Sequence, residues 1–200
     1  MCELAESQLD WTHLSTGELL RDEIKSGGPL AETIDALLAD GQLAPDEVVV
    51  TLLKNSMETI TRTTGKRNFL LDGFPRSLGN LDAWAEVFGK ETELPKMLYF
   101  ECPYPVLEKR ILARAKYTGR KDDNIDSIKL RFDTFKAKTL PTVELFRSKG
   151  KCIDIDTSLS RQDVYALVES SLAEFTDQVA AARPLTERAE MLLGLRPFPK

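Results

Sequence analysis

The sequence predicts a single α/β domain built around a parallel sheet. Three observations carry that expectation. Segments with apolar residues at helical spacing alternate with short apolar runs, the pattern left by strands joined through crossover helices. Glycine, proline and capping residues punctuate the chain where such helices would start and stop. At 200 residues and 42% hydrophobic content, the chain can bury one core of this kind, with room for a small inserted lobe.

Taken in order, "CELAESQL" has helical spacing and "WTHL" reads as a short strand. Ser15 and Glu18 form a capping-box pair that should open a helix through about Ile24. "KSGGP" breaks the chain, and "LAETIDALLAD" is an amphipathic helix that Gly41 closes. Pro45 suits the first turn of a long helix through about Thr61. "NFLLD" is a buried strand, followed by a helix from Arg76 to Phe88 that ends at Gly89. "KMLYFE" is a second clear strand, and Pro105 starts a helix to about Ala115. "KYTGRKDDN" is a polar loop, after which Asn124 caps a helix and Pro141 opens another. Gly150 stops that helix, "KCIDID" is the last strand, and Ser160 with Asp163 caps a helix to about Phe175. Residues 1–175 therefore form the expected domain, with 176–200 as a C-terminal extension holding at most a short helix from Thr186.

Composition narrows the class of function. No run approaches the roughly 18 consecutive apolar residues of a membrane span, and no signal segment opens the chain, so the expected location is the cytoplasm, with the nucleus as a second. Cys2, Cys102 and Cys152 lack the close spacing of a metal or redox pair and are expected as reduced thiols, the last two filling core space. A net charge of -5 argues against nucleic acid as a partner. Yet Glu108 to Lys138 carries ten Lys or Arg against five acids. A basic segment in an acidic chain suits a small anionic ligand, although a solvated helix surface would account for its lysines.

In open parallel sheets, ligands sit beyond the carboxyl ends of the strands, beside helix N-termini. Asp72 ends a strand there, Gly73 permits a tight turn and Pro75 stiffens it. Arg76 is thereby aimed, and a guanidinium fork suits the paired oxygens of a phosphate. A structural ion pair with Asp72 or Asp82 would explain the same arginine. Arg21, on a capped helix, and Arg114, Arg120 and Arg131, in the basic segment, add charge beyond the needs of one phosphate. Together they fit two phosphate groups held close for transfer.

"HLSTGELLRDE", "LLDGFPRSLGN" and "TGRKDDNIDSIKLRF", in this order, resemble the nucleoside monophosphate kinases, most closely the UMP-CMP kinases, over about Met1 to Leu172. The resemblance implies a P-loop kinase-like, three-layer parallel-sheet fold. Acceptor-binding helices would lie near 15–45 and a short lid near 115–124. It implies phosphoryl transfer from ATP, with Mg2+, to UMP or CMP by a monomer. On the matching positions, Arg21 and Arg76 would grip the acceptor phosphate. Arg120 and Arg131 would bridge both phosphates, and Arg114 would lie on the ATP side. Thr16, Gly17, Gln42, Leu43 and Ala44 would border the acceptor's base and ribose, next to the Gly73, Phe74 and Pro75 turn. Asp72 would act near magnesium through water, and the backbone of Leu159 would meet adenine. Asn80 stands where adenylate kinases carry glutamine and pyrimidine-specific relatives asparagine, which favours a pyrimidine acceptor. Ala115 and Thr118 depart mildly, standing for the usual glycine and serine.

One departure is large. The loop G-x-x-x-x-G-K-[ST], which holds ATP phosphates in these kinases, occurs nowhere in the 200 residues. The strand before it, central in the family's sheet between "NFLLD" and "KMLYFE", is missing with it. Strands lie about 4.8 Å apart, so the expected result is a gap of roughly 10 Å, low stability and impaired catalysis. The alternatives are a non-catalytic nucleotide-binding protein and an adenylate kinase.

Overall fold

Parallel pairing brings strands distant in sequence together at the site end of the molecule. The computed structural model describes residues 11–28, 30–40, 42–89, 94–118 and 125–182. Strand β1 (Thr12–Ser15) pairs with β2 (Phe69–Asp72), with Ser15 opposite Asp72 at the carboxyl ends. Strand β3 (Met97–Glu101) pairs with β4 (Cys152–Asp156), also in parallel. Among the described residues β2 and β3 are not hydrogen-bonded to each other, so the sheet is two separate strand pairs. The break falls where the sequence places a gap.

Helices α1 (Thr16–Ser26), α2 (Ala31–Ala39), α3 (Asp46–Thr64) and α4 (Leu78–Phe88) surround β1 and β2. Their apolar faces make the main core, in which Ile34, Val50 and Leu53 are fully buried and pack with Leu20, Trp84 and Phe88. The length of α3 follows from its sequence. Val49, Val50, Leu53 and Met57 repeat on one face, acids fill its first turn, Arg62 sits in its last, and Gly65 ends it in the left-handed conformation. Helix α5 (Tyr104–Thr118) follows β3, and α6 (Ile125–Thr134), a π turn (Phe135–Thr139) and α7 (Leu140–Ser148) lead to β4. Helix α8 (Arg161–Ala182) spans the break: its Val168 and Leu172 take Leu70 of β2 and Leu98 of β3 together. No helix among the described residues is long and apolar enough to cross a membrane.

Several expectations change. The strand at "NFLLD" is half-buried, not buried. Phe69 and Leu71 face the main core and Leu70 faces α8, but β2 has a strand partner on one edge only. Ser15 is the N-cap of α1 without a side-chain cap bond; the hydroxyl of Thr16 instead donates to the carbonyls of Asp72 and Gly73, both at 3.1 Å. Pro45 is the N-cap of α3, and α4 begins at Leu78, capped by Ser77. The break expected before Pro141 is absent, because the π turn carries helix from Ile125 through to Ser148. Lys116 to Thr118 are helical, and α8 runs through residue 176 to Ala182. Cys102 and Cys152 are half-buried, so neither fills a core. Ser160 and Asp163 do form the reciprocal cap of α8. The helix at "CELAESQL", the residue Gly41 and the segment after 182 lie outside the described residues.

Because Leu53 is fully buried in the main core, Leu53→Ala should cost about 2–5 kcal/mol of stability in urea denaturation. A loss below 1 kcal/mol, on the order expected for surface changes, would mean this cluster is not the core.

Candidate functional site

The carboxyl ends of β1 and β2, with the first turns of α1 and α4, open onto a cleft of about 1740 Å³. It exceeds the roughly 300–1,000 Å³ of an ordinary ligand pocket because it runs into the space between β2 and β3, where Leu70, Leu98 and Val168 line it. Thr16, Gly17, Arg21, Gln42, Leu43, Ala44, Asp72, Gly73, Phe74, Pro75, Arg76, Asn80, Arg114 and Arg131 all line this one cleft. Arg120 lies outside the described residues. Leu159 does not line the cleft; it is exposed after β4.

Arg76 is the fixed point of the site. Its Nε donates to the carbonyl of Gly73 at 2.8 Å and its backbone N–H to Asn80 Oδ1 at 2.8 Å. Its carbonyl accepts from the Thr139 hydroxyl, also at 2.8 Å. The turn closes this tightly because residue 73 is glycine. Its φ is +74°, and a Cβ there would collide with the Arg76 guanidinium and press on the Thr16 hydroxyl. The peptide bond before Pro75 is cis.

The charge around Arg76 is crowded. Burial lowers its hold on its proton most, repulsion from Arg131 adds to that, Asp72 opposes it, and Arg21 lowers it again. Three guanidinium groups from α1, the turn after β2 and α6 thus share one field, in which Asp72 acts on Arg76 with the opposite sign. Arg21 also folds over Gly17, whose Cβ would come within 3.3 Å of Nη1. Such a cluster gains by taking up an anion with several oxygens.

Asp72 is half exposed, and its Oδ2 lies 3.7 Å from His13 Nε2. Among the described residues, no group of three or more His, Cys, Asp or Glu could cage a metal ion.

Asn80 is 4% exposed and its amide is engaged: Oδ1 takes the Arg76 N–H and Nδ2 donates to Asp46 Oδ1 at 2.5 Å. Ser77 donates its hydroxyl to the same Asp46 oxygen at 2.6 Å while accepting the Asn80 N–H at 2.9 Å. Sequence reasoning missed Asp46, Ser77 and Thr139. Ser77 carried a readable cap signal, Ser three residues before a polar residue. For Asp46, 34 residues from Asn80, no local pattern announces the contact.

Arginines from α1, from the turn after β2 and from α6 meet on one cleft, the arrangement expected of a nucleoside monophosphate kinase. Comparison with known proteins agrees: the family model Adenylate kinase matches residues 1–151, and the chain belongs to that family. It is 38% identical to the adenylate kinase isoenzyme 1 of Caenorhabditis elegans, across 89% of this chain and 83% of that protein. It is 38% identical to the probable UMP-CMP kinase 1 of Arabidopsis thaliana, across 88% and 82%. With the UMP-CMP kinase of Sus scrofa it shares 36% identity across 82% and 85%.

Gly73→Ala should lower stability by at least about 1–2 kcal/mol from the left-handed backbone alone, and should weaken pyrophosphate binding as Arg76 is displaced. Unchanged values in denaturation and in calorimetric titration would show that the turn does not aim Arg76.

Proposed function

We propose that this chain binds a pyrimidine nucleoside monophosphate, CMP or UMP, as phosphoryl acceptor, with Mg-ATP as donor. The observation that carries this reading is the shared field of Arg21, Arg76 and Arg131 on a cleft that also holds Arg114 and Asn80. Arg21 and Arg76 hold the acceptor phosphate, and Arg131, with Arg120 of the lid near 115–124, spans acceptor and donor phosphates. Arg114 serves the donor side, and the backbone of Leu159, outside the cleft lining, would meet adenine only at its edge. An acceptor phosphate oxygen then attacks the terminal phosphorus of ATP while the bond to the ADP oxygen breaks. The arginines neutralise charge on the equatorial oxygens and hold the two groups in line, which is most of what this reaction asks of a protein. Mg-ATP brings the metal as part of the substrate, and Asp72 meets it through water. Thr16, Gly17 and the backbone of Gln42 to Ala44 border the base and ribose, with Gly73, Phe74 and Pro75 forming the adjacent turn.

The acceptor half carries the arginines and the amide that this reading needs; the donor half is incomplete in these 200 residues. They contain no G-x-x-x-x-G-K-[ST] loop, and among the described residues β2 and β3 stand unjoined. We therefore expect this chain on its own to bind the monophosphate and to transfer phosphoryl slowly. A second reading, nucleotide binding without transfer, draws on the same two observations.

Calorimetric titration with CMP and with ATP separately tests each half. CMP should bind measurably and ATP weakly, and Arg76→Ala should remove most CMP affinity. Coupled assays with ATP should show more transfer to CMP or UMP than to AMP. A preference for AMP would overturn the pyrimidine assignment, and no transfer to any acceptor would favour the binding-only reading.

A further inference from the structure

We propose that Asp46 is a specificity-determining positioning residue, whose carboxylate fixes which edge of the Asn80 amide faces the base of the acceptor nucleotide. The inference rests on the acceptor site proposed above. It begins with an ambiguity in any asparagine: rotating the amide by a half turn exchanges a donor for an acceptor. An unconstrained Asn80 could present either to a base, and would discriminate poorly between bases whose edges differ only in that respect.

The structure removes the ambiguity from both sides. The Arg76 backbone N–H can only donate, so the atom facing it, at 2.8 Å, must be the amide oxygen. The Asp46 carboxylate can only accept while ionised, so the atom facing it, at 2.5 Å, must be the amide nitrogen. A flipped amide would set oxygen against carboxylate and N–H against N–H, in a place where Asn80 is 4% exposed and water cannot compensate. What remains is one N–H of Nδ2 and one lone pair of Oδ1, in a fixed order, on a residue that lines the cleft.

Asp46 is itself held for this task. It opens α3, so its charge lies at that helix's N-terminus, and it reaches the first turn of α4 as well, two favourable dipole ends for one anion. Its Oδ1 also accepts from Ser77, the N-cap of α4. Gly79 supplies the space: a Cβ there would collide with Asp46 Oδ2. A methyl group at residue 79 would therefore displace the carboxylate without touching Asn80's chemistry.

Two variants of the full chain test this, Asp46→Asn and Gly79→Ala, with two readouts. Amide hydrogen exchange at Arg76 should quicken at least tenfold in both, while the denaturation midpoint stays that of a folded protein. Calorimetric titration should show CMP affinity falling at least fivefold more than AMP affinity, so that discrimination narrows. Equal losses for CMP and AMP would reduce Asp46 to a structural residue and overturn the proposal, as would unchanged exchange at Arg76. If the unmodified chain bound neither nucleotide, the acceptor assignment would fall and the base-reading role with it. The exchange data would still decide whether Asp46 holds the Asn80 amide. Should Asp46→Asn fail to fold, Gly79→Ala carries the same comparison.

Discussion

Like charges drawn together without a ligand are an expense that the rest of the fold must absorb, and here it is concentrated at Arg76. Burial and the nearness of Arg131 and Arg21 disfavour its charge, and Asp72 answers only part of that. The guanidinium is kept in place by bonds that do not neutralise it. Nε is tied to the Gly73 carbonyl, and the backbone is tied to Asn80 on one side and Thr139 on the other. An arginine satisfied by a carboxylate would have little left to offer a phosphate. One anchored through carbonyls and its own backbone keeps its charge available.

That arrangement depends on the four-helix core around β1 and β2, not on a continuous sheet. Ile34, Val50, Leu53 and Trp84 bury the backs of α2, α3 and α4, while the fronts present Asp46, Ser77 and Asn80 to one another. Phe74 and Trp84, with ring centroids 5.3 Å apart, seat the turn that carries Arg76 on this core. The side of β3 and β4 lacks a comparable base among the described residues. Between β2 and β3 the connection is made by side chains of α8 in place of strand hydrogen bonds. The two halves of the site thus differ in how firmly the chain supports them.

The order of strands and helices was legible in the sequence because each rests on local signals: Pro45 ahead of the long helix, Ser160 with Asp163 as a cap, Gly89 and Gly150 as stops. The cluster of Arg21, Arg76 and Arg131 was legible because the ends of parallel strands converge. Less could be read where tertiary contact overrode local preference. Pro141 reads as a helix start, yet the preceding turn widens so that helix runs on through it. Ser15 reads as a cap, yet the neighbouring Thr16 hydroxyl makes the bond that matters, to a carbonyl 56 residues away. Asp46 reads as an ordinary acid in a first turn. Its role depends on two partners that only folding brings near.

The π turn at Phe135–Thr139 has a bearing on how this architecture could diversify. One residue more per turn than an α-helix shifts the angular phase of everything beyond it by about 100°. Val143 and Phe146 are buried and line the same cleft as Arg131, earlier on the same rod, so the bulge turns all three toward one face. A lineage that lost a single codon within this bulge would turn the arginine away from the face of Val143 and Phe146, out of register with Arg21 and Arg76. Insertions and deletions at that one place are thus a lever on how positive charge is gathered in the cleft.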